Sequence, residues 1–370
     1  MDTIGLFLCG DVMTGRGIDQ VLASPSDPTL HEGYLESAEE YVALAEIRSG
    51  PIPRRVAEAY IWGDALAELG RSRPELRIIN LETAVTVSDE WMPKGINYRM
   101  HPANVACLSA AAIDCCALAN NHVLDWGEPG LIETLETLER AGIRTAGAGR
   151  NGAAAQTPAV LPVDGKGRVL VLSMGMASSG IPRDWAAGAT RPGVDYLPDL
   201  SPRSVEGIKQ RVAEVKRPRD VVVFSIHWGA NWGYDVTEDE RAFARALIDS
   251  AGVDLVHGHS SHHPKGIEVH RERLILYGCG DFINDYEGIR GHEAFRGDLG
   301  LMYLPVLEAG TGQLARLAMV AMQMRRFQVR RAAEADVRWL SAMLDREGRR
   351  FGTRSELLPE GRIELRWGPD

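Results

Sequence analysis

The sequence predicts an α/β fold, and three observations predict it. Short apolar runs alternate along the chain with amphipathic helical stretches. Most of these runs stop at a glycine-flanked acid or at a cluster of asparagine and histidine. One pair, 158–163 and 169–173, is joined by Asp164-Gly165-Lys166-Gly167 and reads as a hairpin, so an antiparallel pair interrupts the alternation.

The elements follow in order. Residues 4–9 form a buried strand that runs into Gly10–Gly17, with Asp11 between glycine and valine. Helical patterns cover 32–47 and 54–69, the second ended by Gly70, with a Gly/Pro loop between them. Residues 76–79 are the next strand, leading to Asn80 and Glu82. An excursion over 88–102 mixes aromatic and basic groups, as substrate-contacting loops often do. A short helix over 103–112 precedes a strand at 113–119, which ends in Asn120-Asn121-His122. The following helix carries Leu131, Ile132, Leu135 and Leu138 on one face and stops at Gly142; a strand at 143–146 then returns. Residues 149–156 and 178–199 read as loops, and 205–215 as a helix. The strand at 221–226 ends in His227. Thr237 and Glu240 form a capping box that opens a helix reaching Ala251. The strand at 253–256 leads into His257-Gly258-His259-Ser260-Ser261-His262-His263, four of the chain's ten histidines. Apolar runs at 267–269 and 274–277, the acid Asp281, strands at 301–306 and 317–328, and a basic amphipathic helix over 330–350 complete the chain. The domains expected are a main one over 1–310 and, over 311–370, C-terminal strands and a basic helix packed on it.

Composition limits the functions open to such a fold. With 370 residues, 45% apolar and 25% charged, the chain is ordinary globular material. A net charge of −10 argues against a grip on nucleic acid or an anionic membrane without a local basic patch. The N-terminus lacks a basic n-region, and no apolar run approaches the ~18 residues that span a bilayer. The chain is therefore expected to have no membrane segment and to work in the cytoplasm, at most peripheral to the cell envelope. The five cysteines show no C-x-x-C spacing and read as buried thiols in a reducing compartment.

Five strand ends deliver oxygen or imidazole donors: Asp11; Asn80 with Glu82; Asn121 with His122; His227; and His259 with His262. Functional groups of an α/β sheet collect at the carboxyl ends of its strands, so these five loops are expected to meet. Asp11 taken alone reads equally well as a turn residue. Together the five favour a divalent-metal site, with Asp11, Glu82, Asn121, His227, His259 and His262 as ligands. Carboxylate, amide and imidazole donors without thiolate suit Mn, Zn or Fe, as one ion or two. Asp125, three residues beyond His122, can fix that imidazole's tautomer. The pair His122–Asp125 is read as catalytic, with His122 as general acid.

These clusters, in this order, resemble the CapA family of the calcineurin-like metallophosphoesterase superfamily. The residues that carry the resemblance are Gly10–Met13, Asn80–Glu82, Ala119–His122 with Asp125, His227–Gly229, Gly258–His262 and Gly280–Ile283. The Gly258–Pro264 run and the C-terminal helix look closest to its polyglutamine synthesis accessory branch. The resemblance implies a four-layer αββα sandwich with a metal site at one edge. It also implies a part in making a poly-glutamate or polyglutamine envelope polymer, with a polyglutamyl substrate and a polymer synthetase as a partner. Arg16, Lys94 and Arg99 would then hold substrate carboxylates. Three departures leave the number of metals open: Met13 stands where phosphoesterases have histidine, Asn80-Leu81-Glu82 replaces Gly-Asp-x-x-Asp, and Ser260 stands where relatives have the first histidine of the last motif. The reading is a hydrolase that acts through a metal-activated water. Its alternatives are a non-catalytic protein that binds the polymer or its synthetase, and a phosphoesterase acting on a small phosphate ester.

Overall fold

A computed structural model describes residues 2–368. Two β-sheets lie face to face, and helices cover both outer faces, which makes the four-layer αββα sandwich. Period-two alternation along the strands builds the layers. In the strand Val221–His227, Val221 and Val223 join the core between the sheets. Val222 and Phe224 face the other way, onto Ile208 and Val212 of the helix Pro202–Val215 and Phe243 and Leu247 of the helix Glu238–Ser250. In the strand Thr3–Val12, Leu6 and Leu8 point into the same central core. Phe7 and Cys9 point out beneath the helices Ala38–Ser49, Asp64–Ser72 and Gly127–Arg140.

The larger sheet has ten strands, and the smaller has six. Thr3–Val12 pairs in parallel with Leu76–Leu81 on one side. On its other side, the first half pairs antiparallel with Leu299–Glu308 and the end pairs in parallel with Asp281–Ile283. In the smaller sheet, Gly167–Gly175, Val221–His227, Leu255–His259 and Arg273–Leu276 run parallel. The hairpin expected near 158–173 is the antiparallel pair Ala159–Val163 and Gly167–Gly175. The capping box at Thr237 and Glu240 forms as expected.

Several helix boundaries differ from the sequence reading. The helix expected over 32–47 starts at Ala38, because Ser37 and Glu40 form a capping box there. The pattern over 54–69 is broken at Gly63, whose φ is 44°, and only Asp64–Ser72 is α-helical. That helix runs through Gly70 and stops at Arg73, itself left-handed at φ 47°. The loop expected over 149–156 contains the short helix Gly152–Gln156, capped where Asn151 Oδ1 accepts from the Ala154 N–H at 2.9 Å. Beyond residue 310, the strand Leu314–Arg325 pairs along Leu299–Glu308, and Thr353–Leu357 and Arg362–Trp367 extend the same sheet. The helix Glu334–Gly348 buries Val337, Leu340 and Leu344 in the core between the sheets.

Close approach fixes one glycine. A Cβ on Gly10 would stand 1.7 Å from the Gly280 carbonyl oxygen, which itself accepts from the Asp11 N–H. Gly10→Ala is therefore expected to cost about 3 kcal/mol or more in chemical denaturation. Gly207, inside the helix Pro202–Val215 with nothing within 4 Å of its Cβ position, makes the control. Gly207→Ala should stabilise by about 1 kcal/mol. Equal effects from the two would refute the packing account.

Candidate metal centre

Strand register brings the donors together. Asp11 stands opposite Asn80 on one neighbouring strand and opposite Asp281 on the other. On the smaller sheet His227 stands opposite His259. Face-to-face packing then joins the two edges: His259 Nδ1 lies 3.9 Å from Asp11 Oδ1. The Nδ1 atoms of His227 and His259 are 2.7 Å apart, and Asn121 Oδ1 is 3.0 Å from His227 Nε2. Glu82 Oε1 lies 3.7 Å from His227 Nε2 and 3.8 Å from His122 Nε2. His262 Nδ1 is 2.9 Å from Asp281 Oδ1. Two groups, Asp11–His227–His259 and Asp11–His262–Asp281, place one donor atom per residue within 4.8 Å of each other. Asp11 belongs to both.

A polar scaffold aims these donors. Asp11 accepts from Asn80 Nδ2 at 2.7 Å and from the Ser260 backbone N–H at 3.1 Å. Ser260 takes φ 98° where it points that N–H at Asp11. Asn120 donates to Asn80 Oδ1 and to the Leu81 carbonyl, and its Oδ1 accepts from the His122 N–H. Ser225 Oγ sits 2.7 Å from His259 Nε2 and holds that ring's far side.

The charges fit a cation. Burial, then the charge of Asp281, pushes the Asp11 carboxyl up to about 7. Burial and the neighbouring Asp11 push Glu82 well above the carboxylate range. Glu82 Oε2 is buried with no hydrogen-bond partner. Burial holds His227 and His259 well below the usual imidazole range, in the neutral form that ligates metal. Burial opposes protonation of His262 too, but Asp281 and Asp11 override it and raise its pKa. Buried carboxylates short of positive charge, facing neutral imidazoles, are what a divalent cation compensates. The donor set suits such an ion.

The remaining predicted residues lie around this cluster. His122 Nδ1 is 2.6 Å from Asp125 Oδ2, while burial, partly opposed by Asp125, lowers its pKa to about 4. Lys94 Nζ donates to Asp125 Oδ1 at 2.6 Å and to the Asn121 carbonyl. Arg16 is buried and spent on Asp285, Glu32 and Tyr41. Arg99 lies over the Trp126 ring and bonds Asp89 and two backbone carbonyls. Within the histidine run, His257 Nε2 is 2.7 Å from the Cys9 carbonyl, and His263 Nε2 accepts from the Gly233 N–H. Met13 is buried, and Tyr286 touches both its sulfur at 3.7 Å and the His262 ring. The Asp11–His262–Asp281 group thus lies on the side of Met13.

Asp281 and Ser225 join the site without having been among the candidate ligands. Asp281 carried a signal: Gly280-Asp281 repeats the Gly10-Asp11 pattern at a strand boundary. Ser225 lies inside an apolar strand, two residues before His227 and opposite His257 in the register, and only its side-chain contact with His259 Nε2 shows that it belongs to the site.

Three comparisons bear on this arrangement. The family model described as bacterial capsule synthesis protein PGA_cap matches residues 5–286. The chain is 45% identical over 366 residues to a probable polyglutamine synthesis accessory protein of Mycobacterium tuberculosis, covering 98% of this chain and 96% of that one. It is 27% identical over 316 residues to the PGA biosynthesis protein CapA of Bacillus subtilis, covering 84% of this chain and 70% of that one. A solved structure described as a novel phosphatase from Mycoplasma pneumoniae covers 87% of this chain and 94% of its own, at TM-score 0.49 and 11% identity.

Metal should raise the melting temperature of the wild-type chain; ~100-fold excess over Kd corresponds to about 2.7 kcal/mol. Glu82→Gln should reverse the balance. It replaces a buried acid, whose Oε2 has no partner and which burial already disfavours as an anion, by an uncharged isostere, so the chelated variant should melt no lower than chelated wild type and should gain less from added Mn or Zn. A chelated variant that melts well below wild type would sink this electrostatic account.

Proposed function

The chain belongs to the bacterial capsule synthesis protein family PGA_cap, and on that premise we propose that it serves the making of a glutamate-type polymer as a divalent-metal-dependent hydrolase. Relatives named for polyglutamine synthesis and for PGA biosynthesis support the polymer. One observation carries the chemistry: two buried ligand groups share a single carboxylate, Asp11. Asp11, Asn121, His227 and His259 would hold one ion, and Asp11, His262 and Asp281 a second. Glu82 offers its unpartnered oxygen to the same centre. Oxygen and imidazole donors favour Mn, Zn or Fe. A divalent cation bound there supplies the charge that activates water and polarises the bond under attack.

The chain's own groups handle positioning and protons. Asp125 fixes Nδ1 of His122, which leaves Nε2 facing the cluster. Because burial keeps His122 neutral, its Nε2 would accept the proton that the attacking water gives up and then pass it to the leaving group. Lys94, held by Asp125 and the Asn121 carbonyl, sets a positive charge beside His122 for an anionic group of the substrate. Arg16 and Arg99 are engaged elsewhere and act by holding loops. A polymer synthetase is the partner this role calls for. None of the described helices is long and apolar enough to cross a membrane. The five buried, unpaired cysteines fit a reducing compartment on the inner side of the envelope.

Two experiments test the reading. Metal analysis of purified protein should give two ions per chain, falling by about one in Asp281→Asn and to near zero in Asp11→Asn. An unchanged metal content in Asp281→Asn would remove the second group. With Mn, Zn or Fe added, the chain should cleave a polyglutamyl or polyglutamine substrate, and His122→Ala should lower kcat by a hundredfold or more with its metal content intact. Turnover confined to a small aryl phosphate would select a phosphoesterase instead. No turnover with any metal, together with normal polymer formation in cells carrying His227→Ala, would end the enzyme reading.

A further inference from the structure

A groove of about 770 Å³ opens beside the metal centre, with His262 and Tyr286 in its wall. Three guanidinium groups rim it, each from a different part of the chain. Arg48 comes from the last turn of the helix Ala38–Ser49, Arg290 from the connection after Asp281–Ile283, and Arg325 from the end of the strand Leu314–Arg325. All three are exposed, and among the described residues none has a side-chain hydrogen bond or ion pair. Their neighbours differ. Arg16 and Arg296 also line the groove, but Arg16 is paired with Glu32 and Asp285, and Arg296 with Asp298 and Asp336.

The acids of the groove do not cancel this charge one for one. Asp298 is taken up by Arg296 and Gln323. Glu287 accepts from Ser49 Oγ at 2.6 Å and from the Phe327 N–H at 2.9 Å. Glu293 accepts from the Gly291 N–H and is the carboxylate left near Arg290. In a chain of net charge −10, three unpaired guanidiniums around one groove form the local basic patch that an anionic ligand needs.

We infer that this groove binds an extended chain bearing repeated carboxylates, and that it selects this form over the uncharged amide form of the same backbone. The inference rests on the polymer reading of the metal centre and names the charge state that the site accepts. Guanidinium matches the planar carboxylate with two parallel hydrogen bonds, whereas a carboxamide brings no charge to the pair. Three separated guanidiniums favour a ligand that engages them together, so a polymer gains over a single amino acid through effective concentration. One end of the bound chain would lie at His262, within reach of the cluster.

Calorimetric titration of the full chain, as purified and again after chelation, tests this. The probes are polyglutamate of defined length, polyglutamine of the same length, free glutamate and inorganic polyphosphate, with cleavage products followed in parallel. Polyglutamate should bind best, at least about tenfold tighter than polyglutamine, and should weaken as salt rises. Arg48→Ala, Arg290→Ala and Arg325→Ala should each weaken it about two- to fivefold, and the triple variant at least about tenfold. Melting temperatures should not change, since no internal partner is lost. Arg203→Ala, on the helix Pro202–Val215 across the sandwich, should bind as wild type does. Equal affinity for polyglutamine, wild-type binding by the triple variant, or preference for polyphosphate would each overturn the inference. Arginine-dependent binding without cleavage would keep the groove and remove the hydrolase; cleavage with arginine-independent binding would do the reverse.

Discussion

A carboxylate buried at the meeting of two sheets is the constraint on which the site depends. Asp11 is fully buried, and an ionised acid in such a place costs several kcal/mol unless hydrogen bonds and opposite charge compensate it. The chain supplies the hydrogen bonds through Asn80 and the Ser260 backbone. Of positive charge it supplies the His262 imidazole, which Asp281 already engages at 2.9 Å. Glu82 and Asp281 sharpen the deficit, and the neutral imidazoles of His227 and His259 complete a cavity of donors. Three buried acids face one protonatable imidazole, and this asymmetry, more than any single motif, supports the proposal of a cation site here.

The surrounding structure keeps that arrangement in register. Gly10 lets Gly280 approach closely enough for the end of Thr3–Val12 to pair with Asp281–Ile283, so Asp11 and Asp281 face the same way. Beyond the strand ends, the Arg16 guanidinium clamps Asp285 through two nitrogens, and the Gly17 N–H bonds the same carboxylate. The loops that follow the two acids are thus tied together in the interior. That clamp accounts for Arg16 without a substrate. Arg99, stacked on Trp126, does the same for the 88–102 excursion.

Much of the fold was legible because strand burial leaves a strong periodic trace. The alternation in Val221–His227, the 164–167 hairpin turn and the capping box at Thr237 all act within a few residues. Sequence signal and fold part company where local signals compete. Gly70 reads as a helix stop, yet the helix passes through it because the backbone turns left-handed only at Arg73. Asn151 reads as loop material, although its side chain caps a helix. The donors at the five strand ends could be named one by one, because each follows a strand. Their grouping could not, because it depends on which strands are neighbours and in what register. Asp281 is the clearest case: its motif was visible, but only its pairing with Asp11 shows what it faces. The rim of Arg48, Arg290 and Arg325 was equally hidden, since these residues are hundreds of positions apart in part and share no motif.

The His257 imidazole reaches from the smaller sheet to the Cys9 carbonyl of the larger one, one of the polar links across an otherwise apolar seam. Two residues further along each strand, the same seam ends in His259 and Asp11. An ion held between them would therefore be anchored in both sheets at once. It would act as a clasp on the open edge of the sandwich, so that ligand occupancy and the mechanical stiffness of that edge become one variable. Loss of the ion would loosen the two halves at that edge. The functional end of the molecule would soften first, while the seam behind His257 stayed shut.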